Sequence, residues 1–264
     1  MFTHTPVLNI SPNASSPLYD RFNVDNIMRI LPLTTVKHSS WISFRPKEYF
    51  IDPLIQLVGK AIVRNQSSGN LRFSEVIDDK TWKAVLATRL KVYNKRVSYL
   101  LSELDSNGQD ELDCNSFVFV AWWNDQVVAT VRANLYPYEA LKYLDEQQLA
   151  HFLGNKWKSE YIEWGRLVVD DSYHLNGIMP GLIRYAGLRL LFFTHYRFYF
   201  GYTRSGMRRL LWNFQTSQED IKFSIPKRGE QIYSLFKGQF ASDVWSALIR
   251  FLQKKLIKLQ LMQK

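Results

Sequence analysis

Apolar and polar positions change period several times along the chain, and each change marks an element. Leu71-Arg-Phe-Ser-Glu-Val76 alternates, as a half-buried strand does. Behind it Trp82, Val85, Leu86, Leu90, Tyr93, Val97 and Leu100 recur every three or four residues. That spacing predicts a helix, opened by Asp78 or Asp79 as its cap. Asp105–Asp113 is polar and carries turn chemistry. Phe117–Trp123 and Gln126–Asn134 are β-rich runs that meet at Asn124-Asp125, a hairpin signal. Tyr138–His151 reads as helical and Tyr161–Val169 as a strand. A turn through Asp170–Asn176 leads to Gly177, and Pro180 suits the first turn of a helix running to about His195. Arg197–Tyr202 is an aromatic strand, followed by a helix over about 205–214 and one or two short strands within Ile221–Phe240. A further short helix is expected over Phe50–Val63.

A hairpin followed by strand–helix units implies a mixed sheet with helices on both faces. The fold class is therefore α/β of the α+β kind. No G-x-G-x-x-G or P-loop pattern is present, so a dinucleotide or nucleotide-triphosphate fold is excluded. Three regions follow. Residues 1–70 are an irregular, partly helical extension, residues 71–240 the main domain, and residues 241–264 a basic amphipathic helix.

Charge sharpens this division. Of a net +10, residues 181–264 hold 15 Lys/Arg against 4 Asp/Glu, while residues 1–180 hold 19 against 20. The last third is thus a basic surface that calls for an acidic partner: nucleic acid, an anionic membrane or an acidic carrier protein. A single cysteine, Cys114, rules out an internal disulfide framework and reads as a packed residue rather than a nucleophile. No signal peptide and no run of about 18 apolar residues is apparent, so a cytoplasmic protein is expected.

Much familiar chemistry is missing. There is no C-x-x-C, H-E-x-x-H or G-x-S-x-G, and the five histidines are scattered, so no metal site is expected. Three constellations remain: Arg89 and Tyr93 with Tyr99 near one helix, Arg132 at the end of an apolar strand, and Glu163-Trp164-Gly165-Arg166 inside another. Acid and base within one buried strand form either a structural ion pair or a poised site. Strict alternation would send Glu163 and Arg166 to opposite faces unless a bulge intervenes.

Arg89, Tyr93, Tyr99, Asp110, Asp113, Arg132, Glu163 and Arg166, in that order and spacing, resemble the shared pattern of acyl-homoserine-lactone synthases and N-acyl amino acid synthases. Both belong to the GNAT superfamily. The resemblance covers about residues 71–215 and implies a GNAT-like, mostly antiparallel central sheet flanked by helices on both faces. It implies Glu163, Arg132 and Arg166 as catalytic residues, with Glu163 the general base. It implies Arg89, Tyr93, Tyr99, Asp110, Asp113 and Trp164 on the acceptor side, with Arg89 or Arg132 binding a carboxylate. Val168, Val169, His174, Gly177, Arg204 and Arg208 fall to the pantetheine and carrier side.

The loop His174-Leu-Asn-Gly-Ile-Met179 keeps only Gly177 of the usual GNAT pyrophosphate loop. That favours acyl-phosphopantetheine on acyl carrier protein as donor substrate over acyl-CoA, with no cofactor bound. The implied function is acyl transfer from carrier thioester to the α-amine of an amino acid. The alternatives are an acyl-homoserine-lactone synthase using S-adenosylmethionine, a carrier-binding scaffold, and a nucleic-acid module built on the Arg197–Arg204 run. Nucleic acid is the disfavoured partner, since that run falls where a core strand should be. The C-terminal helix is the candidate for carrier docking or for contact with the inner membrane face. Phe192, Phe193, Phe198 and Phe200 either line an acyl tunnel or fill the core.

Overall fold

Asn124 and Asp125 both take positive φ, 46° and 63°, as a two-residue I′ hairpin turn requires. The strands they join are the centre of a computed structural model that describes residues 47–63, 69–204, 221–229 and 231–243. Strands are numbered in chain order: β1 Leu71–Glu75, β2 Ser116–Trp123, β3 Gln126–Asn134, β4 Tyr161–Val169, β5 Phe198–Arg204, β6 Lys222–Ser224 and β7 Ile232–Gln239. They lie in one sheet ordered β1-β2-β3-β4-β5-β7-β6. Every neighbouring pair is antiparallel except β4 with β5.

Helices cover both faces, as the hydrophobic pattern predicts. On one, α1 (Lys47–Lys60) and α4 (Ile178–Phe193) bring Ile55, Leu182, Tyr185 and Ala186 against Phe73, Phe119, Val131 and Ile162. On the other, α2 (Asp79–Arg96) sets Val85 on Val118, Val120 and Val127. Further along that face α3 (Glu146–Leu153) sets Leu149 and Phe152 on Tyr161, Phe200 and Leu235. Asp78 caps α2 by accepting from Thr81 N at 2.8 Å.

Several expectations change. The sequence groups residues 47–60 with an N-terminal extension, yet Ile55 is buried in the main core. Gln56 also hydrogen-bonds both backbone groups of Phe73, which covers the sheet's edge at β1. The expected single helix over Tyr138–His151 divides into a 3-10 turn, Glu139–Lys142, and α3, because Asp145 caps a fresh start by accepting from Gln147 N and Gln148 N. Cys114 is exposed, not packed. Tyr199 and Phe200 of the Arg197–Arg204 run are buried in β5, so they offer no stacking platform. The helix expected over 205–214 lies outside the described residues, as does the C-terminal one beyond residue 243; residues 240–243 are helical. No helix of the described residues is long and apolar enough to cross a membrane.

Candidate active site

The site begins with a register shift. β3 and β4 pair as Arg132↔Gly165 and Asn134↔Glu163, then as Thr130↔Val168, so β4 has one residue more than its partner between these pairs. Arg166 takes φ 46° at that bulge. Glu163, Arg166 and Val168 therefore share the face that carries Thr130, Arg132 and Asn134. Gly165 lies opposite Arg132. A Cβ there would stand 3.5 Å from Arg132 Nη2 and 3.6 Å from Glu139 Oε2, so a longer side chain would grow into that ion pair.

The charged residues on this face form a closed network. Arg89 Nη1 meets Asp113 Oδ2 at 2.7 Å. Arg132 Nη1 meets Asp110 Oδ1 at 2.7 Å and Asp113 Oδ1 at 3.5 Å, and its Nη2 meets Glu139 Oε2 at 2.7 Å. Arg166 Nη2 pairs with Asp110, with Glu103 at 3.0 Å and with Glu139 at 3.7 Å. Arg228 Nη2 closes the ring on Glu103 at 2.8 Å and Glu139 at 3.2 Å. The two aspartates are fixed by a capping box around the 3-10 turn Glu111–Asn115. Asp110 accepts from Leu112 N, and Asp113 accepts from Asp110 N. Burial would raise the Asp110 carboxyl, but Arg132 and Arg166 outweigh it and hold it well below the usual carboxylate range.

Glu163 lies beside this ring and is 1% exposed. Its Oε2 accepts from Asn134 Nδ2 at 3.1 Å and from the Glu139 backbone N–H, and its Oε1 accepts from Ala140 N at 2.9 Å. Burial first, then the neighbouring Glu139 carboxylate, push the Glu163 carboxyl up to about 7 against the pull of those donors. The charge count gives the physical reason. Among the described residues four arginines (89, 132, 166, 228) pair with four carboxylates (103, 110, 113, 139), and Glu163 is a fifth acid with no guanidinium of its own.

The other expected residues divide. Tyr93 is buried beside the ring and packs on Val168. Arg89 and Arg132 are 0% exposed and each pairs with at least one carboxylate, so in this arrangement burial closes both off from an acceptor's carboxylate. Among the described residues Arg89 Nε and Nη2 and the Nε of Arg132 and Arg166 have no hydrogen-bond partner. Trp164 points to the opposite face, against Tyr199 and Phe240. Tyr99 is not on the ring; its hydroxyl accepts from Arg204 at the end of β5. Phe200 is core and Phe192 is 51% exposed, so these two do not share a tunnel wall. Glu103, Glu139 and Arg228 are members that the sequence reading missed. Among the described residues no group of three or more His, Cys, Asp or Glu could hold a metal ion.

Beside the ring opens a cleft of about 680 Å³, lined by Glu103, Asp105, Asp110, Glu111, Lys142 and Tyr143 among others. β4 and β5 pair only from Tyr161↔Phe198 to Glu163↔Phe200 and diverge beyond Glu163.

Two solved structures share this architecture. The AHL synthase LasI superposes with a TM-score of 0.51 at 14% identity, over 66% of this chain and 91% of that one. BjaI, a CoA-dependent acyl-homoserine lactone synthase solved with MTA, gives 0.56 at 10% identity, over 69% and 89%. The chain has the GNAT-like fold of these synthases. FeeM, an N-acyl amino acid synthase from uncultured soil microbes, aligns at a TM-score of 0.47 and 8% identity, over 67% of this chain and 94% of that one. No protein-family model and no curated protein matches the chain.

In this GNAT-like frame four of the expected carrier-side residues lie on the outgoing half of β4 and the turn behind it, while Arg204 ends β5. Val168 is buried against α2, Val169 packs towards the α4 side, and His174 is exposed in the left-handed region at φ 49°. Gly177 precedes α4 with φ 84°, and a Cβ there would stand 2.6 Å from the Ile62 carbonyl oxygen. A side chain at this turn would therefore meet a backbone carbonyl, which leaves glycine as the residue that fits. Arg208 lies outside the described residues.

Proposed function

We propose that this protein is an N-acyltransferase that moves an acyl group from a thioester to an amine, with Glu163 as the base. The observation that carries the reading is the odd carboxylate. A buried acid with no cation of its own among the described residues, pushed up to about 7, is poised to exchange a proton near neutrality. Oε1 accepts a single N–H and keeps a lone pair for that proton.

The acceptor ammonium loses a proton to Glu163, through water because the carboxylate is buried. The freed nitrogen attacks the thioester carbonyl carbon. Where β4 leaves β5, backbone N–H groups can stabilise the oxyanion. The C–S bond then breaks, and the leaving thiolate takes up the second proton of the attacking nitrogen as the amide forms. The closed ring fixes this geometry; Arg132 and Arg166 act through it.

The loop His174–Met179 keeps only Gly177 of the usual pyrophosphate loop, which favours a donor that presents phosphopantetheine on an acyl carrier protein over one that needs a free pyrophosphate site. The acceptor assigned here is the α-amine of an amino acid. A second reading, an acceptor bearing the sulfonium of S-adenosylmethionine, is supported by the superposition on LasI and BjaI, both acyl-homoserine lactone synthases.

Mass spectrometry of lipid extracts from a bacterial host expressing wild type or Glu163→Gln tests the proposal. New N-acyl amino acids lost in the variant support the first reading. Acyl-homoserine lactones released with methylthioadenosine support the second. Extracts matching the empty vector in both cases count against transfer to any amine that host contains.

A further inference from the structure

Glu139 and Arg228 belong to the ring but not to the eight-residue pattern that the sequence displays. Glu139 touches Glu163 and the guanidinium cluster by separate groups. Its backbone N–H donates to Glu163, while its carboxylate turns away to Arg132 at 2.7 Å and Arg228 at 3.2 Å. Arg228 arrives from the far end of the sheet, in the 3-10 turn Pro226–Arg228 between β6 and β7. It donates from Nε and Nη2 to Glu103 and from Nη2 to Glu139. We propose that Glu139 and Arg228 are a matched pair of positioning residues, one carboxylate and one guanidinium, that hold Glu163 at charge balance with the ring and so set its proton affinity.

The inference rests on the proposed role of Glu163 as the base. Its physics is the count of charges. With both residues present the ring is neutral when Glu163 is protonated. Removing the Glu139 charge leaves a surplus cation, which favours Glu163 as the anion. Removing the Arg228 charge leaves a surplus anion, which favours Glu163 as the acid. Among the described residues the groups facing Glu163 from the packed elements are few. They are Arg132 and Asn134 on β3, Tyr138 and Glu139 before α3, and Tyr202 on β5, with Arg166 one row along β4. The tyrosines stay neutral, since burial and the nearby carboxylates push Tyr138 and Tyr202 upward. The balance therefore lies with the arginines and acids.

The test reads Glu163 directly, without needing a substrate. Protein labelled with carbon-13 at the glutamate carboxyls is titrated by NMR, and Glu163 is assigned by its loss in Glu163→Gln. In Glu139→Gln the midpoint is expected to fall, and in Arg228→Gln to rise, each by about one pH unit. The double variant returns towards wild type. Midpoints unmoved in both single variants, or a double variant that keeps one single shift in full, would overturn the proposal. If Glu139→Gln does not fold, Arg228→Gln decides alone, and the absence of an upward shift sinks the idea. Turnover at the wild-type rate in Glu163→Gln would remove the base role, yet opposite shifts in the two single variants would still establish the pair.

Discussion

Glu163 and Arg166 stand three positions apart on one strand, yet both side chains project to the face occupied by Arg132. The extra residue between the pairs Arg132↔Gly165 and Thr130↔Val168 makes this so, with Arg166 itself at φ 46°. Without the bulge the alternation of a strand would bury Arg166 among the apolar side chains under α4. The bulge thus brings the ring and Glu163 to one side of the sheet.

Arg166 is expected to contribute through the ring more than through any direct contact with a substrate. Arg166→Met leaves Asp110 and Glu103 short of a partner, and breaking one side of a buried ion pair costs about 3–5 kcal/mol. Asp110→Asn should cost a similar amount. The double variant should lose less than the sum, because the two residues share one interaction. Urea unfolding midpoints of the four proteins check this, and strict additivity would contradict the ring.

Glu163 should destabilise the fold as it ionises. Its folded value, about 7, lies above the ordinary 4.5, so the folded protein holds that proton more tightly than the unfolded chain does. The stabilising contribution of the protonated form is complete below about 4.5 and is lost as pH rises through about 7. Glu163→Gln cannot ionise and escapes the loss. The stability of the variant relative to wild type should therefore rise between pH 5 and 8 by on the order of 3 kcal/mol. Paired denaturation curves at the two pH values measure it, and a difference independent of pH would contradict the raised value.

Periodicity made the framework legible. The apolar alternation of Leu71–Val76 and Phe117–Asn134 and the helical recurrence from Trp82 to Tyr93 report burial against one neighbour, which local spacing encodes. The bulge was invisible to the same logic, because a register shift is settled by two strands together and β4 shows only its own half. Glu139 and Arg228 were missed for a related reason. Glu139 stands inside what reads as an ordinary amphipathic helix, and its role comes from opening the 3-10 turn, where its N–H has no acceptor within the turn and donates to Glu163. Arg228 is one basic residue among many in a positively charged third, and its burial alone distinguishes it. An available signal was Pro226 two residues earlier, which suits a short turn rather than a strand.

The crossing of α1 and α4 depends on two glycines. A Cβ on Gly181 would stand 2.8 Å from the Gly59 carbonyl oxygen, and one on Gly59 would stand 3.2 Å from the Gly181 carbonyl oxygen. Backbone oxygen cannot rotate away as a side chain could, so the helices would have to separate. Gly181→Ala is expected to destabilise the protein by about 1–3 kcal/mol, the usual range for overpacking, despite alanine's better helix propensity. Thermal unfolding of the variant tests it, and a raised midpoint would show that the helices can part without loss.

Turnover should follow the same carboxyl that stability does. If Glu163 accepts the acceptor's proton, the rate at saturating substrates climbs with pH through the titration of Glu163 in the bound complex and then levels. Glu163→Gln keeps the amide in place of the carboxylate and can still be held by the 139–140 backbone through its carbonyl oxygen. It loses the base, so a fall of about 10²- to 10⁴-fold with intact folding is expected. The residual activity should no longer show the limb near neutrality, because that limb belongs to the carboxyl and not to the amine. A variant that retains the limb at reduced rate would assign the titration to another group and leave Glu163 with the hydrogen bonds it makes to the turn.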